Sequence, residues 1–313
     1  MPRVSVIIPT FNRPAHVAKC LESLARMKAP RGGLEVVVVD DGGSETLLAI
    51  VAPFASRINA RLLRQENAGP AAARNRGALA ARGEILLFTD DDCRPHPLWA
   101  RRMVAALERG GTGALAGGAT FNQLRGWPCS DASQLIVALV YEFYNADAMG
   151  ARFFASNNMG CWREAFVERG GFNADFRRSA SEDRELCDRW RALGGRLVFE
   201  PRAVIGHRHA LTLRKYWGQH FFSGRGANLY HRLRSVRGSG KMTEDMGFHA
   251  RLPGMMWRRL PPMGARRAAT MLVLLGVWQV ANAAGFFWDR WQSPELPDVD
   301  PFPPPLREGA APG

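Results

Sequence analysis

Three consecutive aspartates, Asp90, Asp91 and Asp92, follow a short apolar run over residues 85–88. The run is too short for a helix and lies between a glycine and a proline, which predicts a strand buried on both faces. Adjacent carboxylates repel one another unless a cation, a proton or solvent relieves them. Hard oxygen ligands suit Mg²⁺ or Mn²⁺ carrying a phosphate, so the triplet indicates a divalent metal site. A solvated acidic turn is the alternative for these residues alone.

The residues before this triplet repeat a strand, a polar loop and a helix. We predict strands over residues 4–9, 36–39 and 61–65, and helices over residues 15–27, 45–54 and 70–82. Polar residues follow the first two strands: Thr10 and Asn12, then Asp40 and Asp41. The alternation predicts an α/β fold with a mostly parallel, doubly wound, Rossmann-like sheet flanked by helices. Its loops converge at one sheet edge, where open α/β sheets bind ligands.

The third of these helices carries the features of an anion site. Gly69 gives a flexible approach, and Pro70 suits the first helical position. Free backbone N–H groups at this end, with Arg74 or Arg76, can face an anion.

Two further groups in the second half of the chain can do chemistry. Glu182 and Asp183 open a predicted helix that runs to about residue 193. Two carboxylates in a first helical turn also complement the helix dipole, with Ser179 or Ser181 as the cap. Residues 207 and 209 are both histidines and alternate after a predicted strand over residues 196–200, so both could face the metal, or one could be an ordinary polar strand end.

Composition and charge limit the function classes. The 313 residues are 46% hydrophobic and 23% charged, which is an ordinary globular balance. A net charge of +13 suits phosphate-bearing ligands, nucleic acid or an anionic membrane. The basic residues are scattered rather than gathered on one aromatic sheet face, so we expect no nucleic-acid partner. The five cysteines form no CxxC pair, which fits a reducing cytosol, and the first strand begins too early to leave room for a signal segment.

The C-terminal third differs in composition. Residues 233–267 are predicted to form a basic linker or surface helices, and residues 289–313 a Pro-rich disordered tail. Residues 268–288 carry no charge over about the length that crosses a bilayer, after a cluster of arginines. This C-terminal hydrophobic helix predicts membrane association, with a soluble packing helix as the alternative. If the helix spans, the arginines hold the main domain at the cytoplasmic face of the cell membrane.

Six segments together resemble the family 2 inverting nucleotide-sugar glycosyltransferases, which have the GT-A fold. They are VSVIIPTFNRP, VVVVDDGGS, NAGPAAARNRG, FTDDDCRP, NNMGCWREAFVERGGF and SEDRELCDRW, and the resemblance covers residues 4–226. It implies a GT-A domain over residues 1–232, with a nucleotide-binding half over 1–95 and an acceptor and catalytic half over 96–232.

The resemblance also implies roles for single residues on the nucleotide side. Pro9, Thr10 and Asn12 would line the nucleotide, and Asp40 or Asp41 would bond the base. Arg74, in the ARN triplet, would lie near the diphosphate of the nucleotide-sugar.

The aspartate triplet resembles the DXD motif of this family. Asp90 would lie near the ribose or the metal, with Asp91 beside it at the nucleotide-sugar. Asp92 is then the expected direct ligand of Mg²⁺ or Mn²⁺, and His207 a later one. In the second half, Asp183 matches the family's catalytic base, with Glu182 next to it.

The implied reaction moves a sugar from a nucleoside-diphosphate donor to the hydroxyl of a glycan or lipid-linked acceptor. Residues 219–226 stand where processive polysaccharide synthases carry QxxRW and do not match it, so we expect a non-processive enzyme. Arg225 in this stretch is a further candidate for a phosphate contact. A sugar-nucleotide nucleotidyltransferase is the alternative enzyme, although TFNRP is not the glycine-rich loop it would need. An inactive membrane-attached scaffold is the other alternative.

Overall fold

In the computed structural model, which describes residues 1–177, 181–292 and 300–307, eight strands form one sheet. The strands are β1 Val4–Thr10, β2 Leu34–Asp40, β3 Ala60–Arg64, β4 Ile85–Phe88, β5 Cys93–Pro95, β6 Ala114–Asn122, β7 Met159–Trp162 and β8 Arg196–His207. They are hydrogen-bonded in the order β3-β2-β1-β4-β7-β6-β8-β5. The first four strands in this order are parallel, as the strand–loop–helix repeats predict.

The second half of the sheet is mixed. β7 is antiparallel to both β4 and β6, β6 is parallel to β8, and β5 is antiparallel to β8 at the edge. The predicted α/β class with helices around a largely parallel sheet is therefore confirmed. The antiparallel strands join the parallel half of the sheet to a second half.

Helices cover the sheet and continue beyond it. They are α1 Pro14–Leu24, α2 Leu48–Val51, α3 Ala55–Ile58, α4 Pro70–Ala80, α5 Trp99–Gly110, α6 Pro128–Tyr144, α7 Arg163–Glu168, α8 Glu182–Ala192, α9 Leu213–Arg237, α10 Met242–Arg259 and α11 Ala265–Gln292. Short 3₁₀ helices lie at Ala52–Phe54, Ser156–Asn158 and Pro261–Met263. The single helix expected over residues 45–54 is broken into short pieces around Pro53, because proline lacks the N–H donor and disfavours a regular helix around it.

The core lies on both faces of the sheet, and β2 shows how the sequence produces this. Val36 and Val38 belong to the cluster that packs under α1 and α5. Val37 and Val39 belong to the opposite cluster, with α4 and α8. Successive strand residues point to opposite faces, so a run of valines buried on both sides gives a sheet covered by helices on both faces.

Helix α4 lies very close to the sheet because of one glycine. A Cβ on Gly77 would come within 2.5 Å of Cγ2 of Ile7, so a larger residue would push the helix outward. Arg74, one turn earlier, is thereby held at the loop edge of the sheet with only 1% of its surface exposed.

The C-terminal helices form a layer of their own. α6, α9, α10 and α11 share an apolar cluster that is separate from the two sheet clusters. Gly224 of α9 and Gly285 of α11 let the helices approach closely, since a Cβ on either would lie about 2 Å from a backbone oxygen of the other helix. Residues 242–259, within the segment predicted to be a basic linker or surface helices, form helix α10.

The end of the chain returns to the domain. Within residues 300–307, the amide of Leu306 donates to the carbonyl of Val167 at 2.9 Å, and the side chain of Arg237 donates to the carbonyl of Pro301. Of the tail predicted to be disordered, residues 293–299 and 308–313 lie outside the described residues.

Candidate active site

The aspartate triplet follows β4 at the sheet edge where β1 and β2 also end. The carboxylate of Asp91 is buried and accepts a hydrogen bond from Oγ1 of Thr10 at 2.7 Å. Nη1 of Arg13 lies 2.8 Å from Oδ1 of Asp91. Burial raises the pKa of Asp91 to about 7, against the opposing charge of Arg13. Thr10 and Arg13, at the end of β1 and in the loop after it, therefore hold the Asp91 side chain in the protein interior.

Asp92 lies between two cationic partners. Its Oδ2 accepts from Nη2 of Arg13 at 2.8 Å, and its Oδ1 lies 3.1 Å from Nε2 of His207. Burial alone would raise the pKa of Asp92, but the hydrogen bond and charge of His207, followed by the charge of Arg13, hold it well below its usual range. Asp92 is thus an ionised carboxylate that faces positive charge.

The site has a donor set that fits a divalent ion. Ligand atoms of Asp92, Cys93 and His207 lie within 4.8 Å of one another. Pairing of β5 with β8 places Cys93 opposite His207, so the fold sets this distance. Burial raises the pKa of the Cys93 thiol, which therefore stays protonated. A carboxylate and an imidazole remain, and these suit Mg²⁺ or Mn²⁺ better than a thiol does.

Arg74 joins the triplet to the start of α8. Its Nη2 lies 2.8 Å from Oδ1 of Asp90, and its Nη1 lies 3.2 Å from Oε1 of Glu182. Arg74 and Glu182 are buried, whereas the Asp90 side chain is 29% exposed. Arg74 also lies over the ring of Phe172, 5.4 Å from its centroid. One guanidinium therefore fixes the two acidic segments relative to each other.

Asp183 lies beside Glu182 in the first turn of α8. Its Oδ1 accepts from the amide of Arg184 at 2.8 Å, and its Oδ2 from the amide of Ser156 at 3.4 Å. Burial, followed by the charge of Glu182, raises the pKa of Asp183 to about 7. A carboxyl with a pKa near neutrality can take up and release a proton at physiological pH.

The turn before Glu182 has an unusual backbone. Ser181 has φ +75° in the left-handed region, and its side chain accepts no hydrogen bond from the first turn of α8, so the expected capping by the Ser181 side chain does not occur. Ser179, the other expected cap, lies outside the described residues.

Asp40 and Asp41 shape the loop beside the site. Asp41 accepts from the side chain of Gln65 at 2.7 Å and from the amides of Ala68 and Gly69, each at 2.9 Å. Asp40 accepts from the amide of Gly43 at 2.9 Å through one oxygen. Its other oxygen is buried without a hydrogen-bond donor among the described residues. Nε of Arg64 lies 3.7 Å from this oxygen, beyond hydrogen-bond distance, so Asp40 keeps one oxygen that accepts no hydrogen bond, whereas Asp41 holds the approach to α4.

The remaining nucleotide candidates lie on the same edge. Pro9 is buried opposite Val39, and Thr10 lies opposite Asp40 in the pairing of β1 with β2. Asn12 has φ +54° and accepts from the amide of Ser44 at 2.7 Å, which links the loops after the two strands.

The contacts also show where three further residues selected from the sequence lie, namely His207, His209 and Arg225. His207 contacts Asp92 directly. The ring of His209 lies next to that of His207, with 5.2 Å between the ring centroids, and burial followed by the charge of His207 lowers the pKa of His209 to about 4. Arg225 does not face the triplet; its Nε donates to Asp289 of α11 at 3.1 Å.

Arg13 was not predicted from the sequence, although it contacts two of the three aspartates. The sequence does place Arg13 in the polar turn after the first strand, next to the predicted residues Thr10 and Asn12, and a basic residue at that position is the feature that could have identified it.

The fold and the site together define an α/β protein with an acidic edge of the sheet and a second carboxylate pair, Glu182 and Asp183, joined to it through Arg74. The sequence model of glycosyl transferase family 2 matches residues 5–184, more than half of the chain. The chain belongs to this family, and its class is that of a glycosyltransferase.

Curated relatives match part of the chain. Glycosyltransferase AglE of Haloferax volcanii is 34% identical over 128 residues, which cover 40% of this chain and 42% of AglE. The hyaluronan synthase of Pasteurella multocida is 37% identical over 106 residues, which cover 33% of this chain and 11% of the synthase. The chain thus spans less than half the length of these relatives.

Solved structures match almost the whole fold. Mannosyltransferase PcManGT from Pyrobaculum calidifontis, in complex with GDP-Man and Mn²⁺, has a TM-score of 0.66 and 21% identity over 93% of this chain and 88% of that one. Residues 1–349 of Staphylococcus aureus TarS have a TM-score of 0.59 and 18% identity over 90% of this chain and 81% of that one. At these identities the likeness shows the GT-A fold.

Proposed function

We propose that the protein transfers a sugar, with inversion and without processivity, from a nucleoside-diphosphate sugar to a hydroxyl of a glycan or lipid-linked acceptor. The observation that carries the proposal is the bridge made by Arg74, which holds the aspartate triplet and the Glu182–Asp183 turn on either side of one guanidinium. A transferase needs a site that neutralises the departing diphosphate and a base for the acceptor hydroxyl, and the Arg74 bridge would hold the two groups proposed for these roles in a fixed arrangement.

The donor side consists of the β1, β2 and β4 loops. Asp92 and His207, with Asp90 nearby, would hold Mg²⁺ or Mn²⁺. A bound divalent ion supplies neutralisation of the diphosphate charge in the leaving group. The buried oxygen of Asp40 that accepts no hydrogen bond within the protein would accept one from the base, and the turn of Pro9, Thr10 and Asn12 would line the nucleotide.

Arg13 and Arg74 already supply positive charge on the donor side. Arg13 is 38% exposed and contacts two aspartates of the triplet, while Arg74 is buried at the third. Preorganised cations next to a leaving group stabilise charge that develops in the transition state.

On the acceptor side, Asp183 would remove the proton of the attacking hydroxyl. Its raised pKa, about 7, makes the carboxylate a stronger base than an ordinary aspartate. Attack from the face opposite the leaving group inverts the anomeric carbon, and no covalent intermediate is required. Glu182, engaged by Arg74, would position Asp183 rather than share the proton.

The structural neighbours support a nucleotide-sugar donor. PcManGT was solved with GDP-Man and Mn²⁺, and TarS with UDP-GlcNAc. Those ligands belong to those proteins, and we extend to this chain only their common chemistry, a sugar on a nucleoside diphosphate.

Helix α11 supports membrane association. It is long and apolar enough to cross a membrane, and about one third of its most apolar window is buried against the domain. Val273, Val280 and Phe287, spaced by seven residues, are 68%, 59% and 66% exposed. We propose that this face contacts the cytoplasmic side of the cell membrane, where a lipid-linked acceptor would be found.

Thermal unfolding against UDP, dTDP, GDP and CMP, each with and without Mn²⁺, tests the donor site. A ligand at about one hundred times its Kd adds roughly 2.7 kcal/mol to the native state, so the midpoint rises measurably. We expect one diphosphate to stabilise the wild type only with metal and Asp92→Asn not at all. Release of pyrophosphate, instead of a nucleoside diphosphate, during turnover would favour a nucleotidyltransferase. Stabilisation by none of the four nucleotides would contradict the donor assignment.

A further inference from the structure

A cleft lies immediately beyond the proposed base, between α6, α8, α9 and α10. It encloses about 320 Å³, part of it open to solvent. Arg184, Asp188 and Arg191 of α8 line it, together with Tyr230 of α9 and Asp245 of α10. Arg184 directly follows Asp183, and its amide donates to the Asp183 carboxylate at 2.8 Å. The cleft therefore begins one residue from the group that would deprotonate the acceptor.

The two carboxylates in this cleft are already occupied. Asp188 accepts from Arg237 at 2.8 Å and lies 3.1 Å from Nε of Arg234. Asp245 accepts from the hydroxyl of Tyr144 at 2.5 Å and from Nη1 of Arg234 at 3.1 Å. The negative charges of Asp188 and Asp245 are therefore compensated mainly by arginines of α9, and these contacts link α8, α9 and α10.

Arg184 is left without an acceptor for its five N–H donors. Its side chain is 30% exposed and lies over the ring of Tyr230, 4.7 Å from the centroid. Its nearest carboxylate oxygen, on Asp245, is 3.6 Å away, beyond hydrogen-bond distance. No residue in the described part of the chain accepts a hydrogen bond from this guanidinium. The guanidinium is thus held in place by the Tyr230 ring and a longer ion pair, while its N–H donors face solvent and stay available for an anion that enters the cleft.

Arg191 adds a second cation. It lies two helical turns after Arg184 on the same side of α8, about 10 Å along the helix axis. It is exposed, and no ion pair to it is found among residues 1–177, 181–292 and 300–307. Two guanidiniums and a tyrosine ring around one cleft are the chemistry that binds oxyanions such as phosphate and carboxylate.

We propose that this cleft is a subsite for an oxyanion carried by the acceptor. The inference rests on the proposed function, because it takes Asp183 as the base that the acceptor must reach. The donor diphosphate is assigned to the triplet and Arg74, on the other side of Glu182. An anionic group of the acceptor in the cleft would orient the chain of the acceptor past Asp183 and select charged acceptors over neutral ones.

The first test measures binding of inorganic phosphate to metal-free protein in EDTA. Thermal unfolding is followed while phosphate replaces chloride at constant ionic strength. We expect phosphate to stabilise the wild type, and Arg184→Gln and Arg191→Gln to need about tenfold more phosphate for the same shift. Arg57→Gln, an exposed arginine in α3 on the other part of the fold, is the matched control and should behave as wild type. Arg191 is exposed, so its replacement should not impair folding.

Two outcomes would overturn the subsite. One is no stabilisation of the wild type by phosphate, and the other is an equal phosphate requirement in wild type and both variants. Nucleotide binding with Mn²⁺, measured separately on the same variants, distinguishes this failure from failure of the proposed function. Intact nucleotide binding with unchanged phosphate binding rejects only the subsite.

A second test distinguishes a phosphate from a carboxylate as the oxyanion that the cleft binds. Octyl glucoside 6-phosphate, octyl glucuronide and neutral octyl glucoside are compared as competitors of phosphate. Preference for one charged glycoside that is lost in Arg184→Gln supports the subsite and names a phosphate or a carboxylate as its ligand. Equal binding of all three by wild type and Arg184→Gln contradicts it.

Discussion

Arg74 and Glu182, which are 108 positions apart in the chain, form an ion pair with an N–O distance of 3.2 Å. Both side chains are only 2% exposed. The pair joins the helix after β3 to the helix that carries Asp183, so the two halves of the site share one buried contact. Removal of either partner leaves the other charge unpaired in the protein interior, where an unpaired charge lowers the stability of the fold.

We therefore predict that Arg74→Gln destabilises the fold as well as the reaction. Removing one partner of a buried ion pair costs about 3–5 kcal/mol, because the remaining carboxylates keep their charge. Urea unfolding at pH 7 measures the loss. Arg76→Gln, an exposed arginine two positions later in α4, should change the unfolding free energy by less than about 0.5 kcal/mol. Equal stability of the two variants would show that the bridge contributes little.

A second prediction concerns Asp183. Asp183→Asn keeps the shape of the side chain but cannot accept the proton of the acceptor hydroxyl, so transfer should fall by about 10²–10⁴-fold. Binding of the donor nucleotide with Mn²⁺ should stay within twofold of wild type, since Asp183 does not contact the triplet. Asp147→Asn, an exposed aspartate, is the control for the change of charge. Transfer at the wild-type rate by Asp183→Asn would reject the base assignment.

The pH dependence follows from the same carboxyl. Burial and the charge of Glu182 raise the pKa of Asp183 to about 7, and the active base is the ionised form. The rate of transfer should therefore rise with pH, by up to tenfold per unit, and level off above about 7. A rate that is flat between pH 5 and 8 would contradict this role.

The free energy of unfolding should fall as pH rises, whereas the rate of transfer rises. Between its ordinary pKa of 3.8 and about 7, the folded state holds a proton on Asp183 that the unfolded state has lost. The free energy of unfolding then falls as pH rises, by up to about 1.4 kcal/mol per pH unit from this group. Asp91, whose pKa is also raised to about 7, adds a similar term. The difference between wild type and Asp183→Asn isolates Asp183, and the variant should gain relative stability at pH 8 over pH 5.

The parallel half of the fold and the position of the triplet could be predicted because their signals are local. β1, β2 and β4 are short β-branched or apolar runs, each followed by polar residues, and parallel strands of this kind end at one edge. Asp91 and Thr10 meet for that reason, since the ends of their strands are neighbours in the sheet.

The rest of the site depends on contacts that local patterns do not encode. Arg13 is one basic residue among 42, and only the approach of its loop to Asp92 distinguishes it. His207 and His209 could not be separated because β8 was expected to end at residue 200. The strand continues to His207 with a register shift against β6 between Gly118 and Ala119, and this continuation places His207 opposite Cys93.

His207 and His209 now offer a matched pair for the metal. His207→Gln should weaken Mn²⁺ binding in the presence of nucleotide by about 10–100-fold, because the imidazole beside Asp92 is lost from the proposed ligand set. His209→Gln removes the same chemical group two residues later and should leave the Mn²⁺ dependence within twofold. Isothermal titration with MnCl₂ at a fixed nucleotide concentration measures both. A larger effect in His209→Gln would move the metal site away from Asp92.

The final prediction concerns the exposed face of α11. Val273, Val280 and Phe287 lie on one stripe of a helix whose other side packs closely on α9 through Gly285. Replacing all three with Gln should reduce flotation with vesicles containing anionic lipid by at least about tenfold, because each buried apolar side chain contributes about 1.5–3 kcal/mol. The unfolding midpoint should change little, since these side chains are exposed in the domain itself. Leu274→Gln, at a buried position on the opposite side, should instead lower the midpoint. Vesicle binding that survives the triple change would contradict the assignment of this stripe to the membrane, and sedimentation at increasing concentration would then test whether the stripe contacts a second copy of the chain.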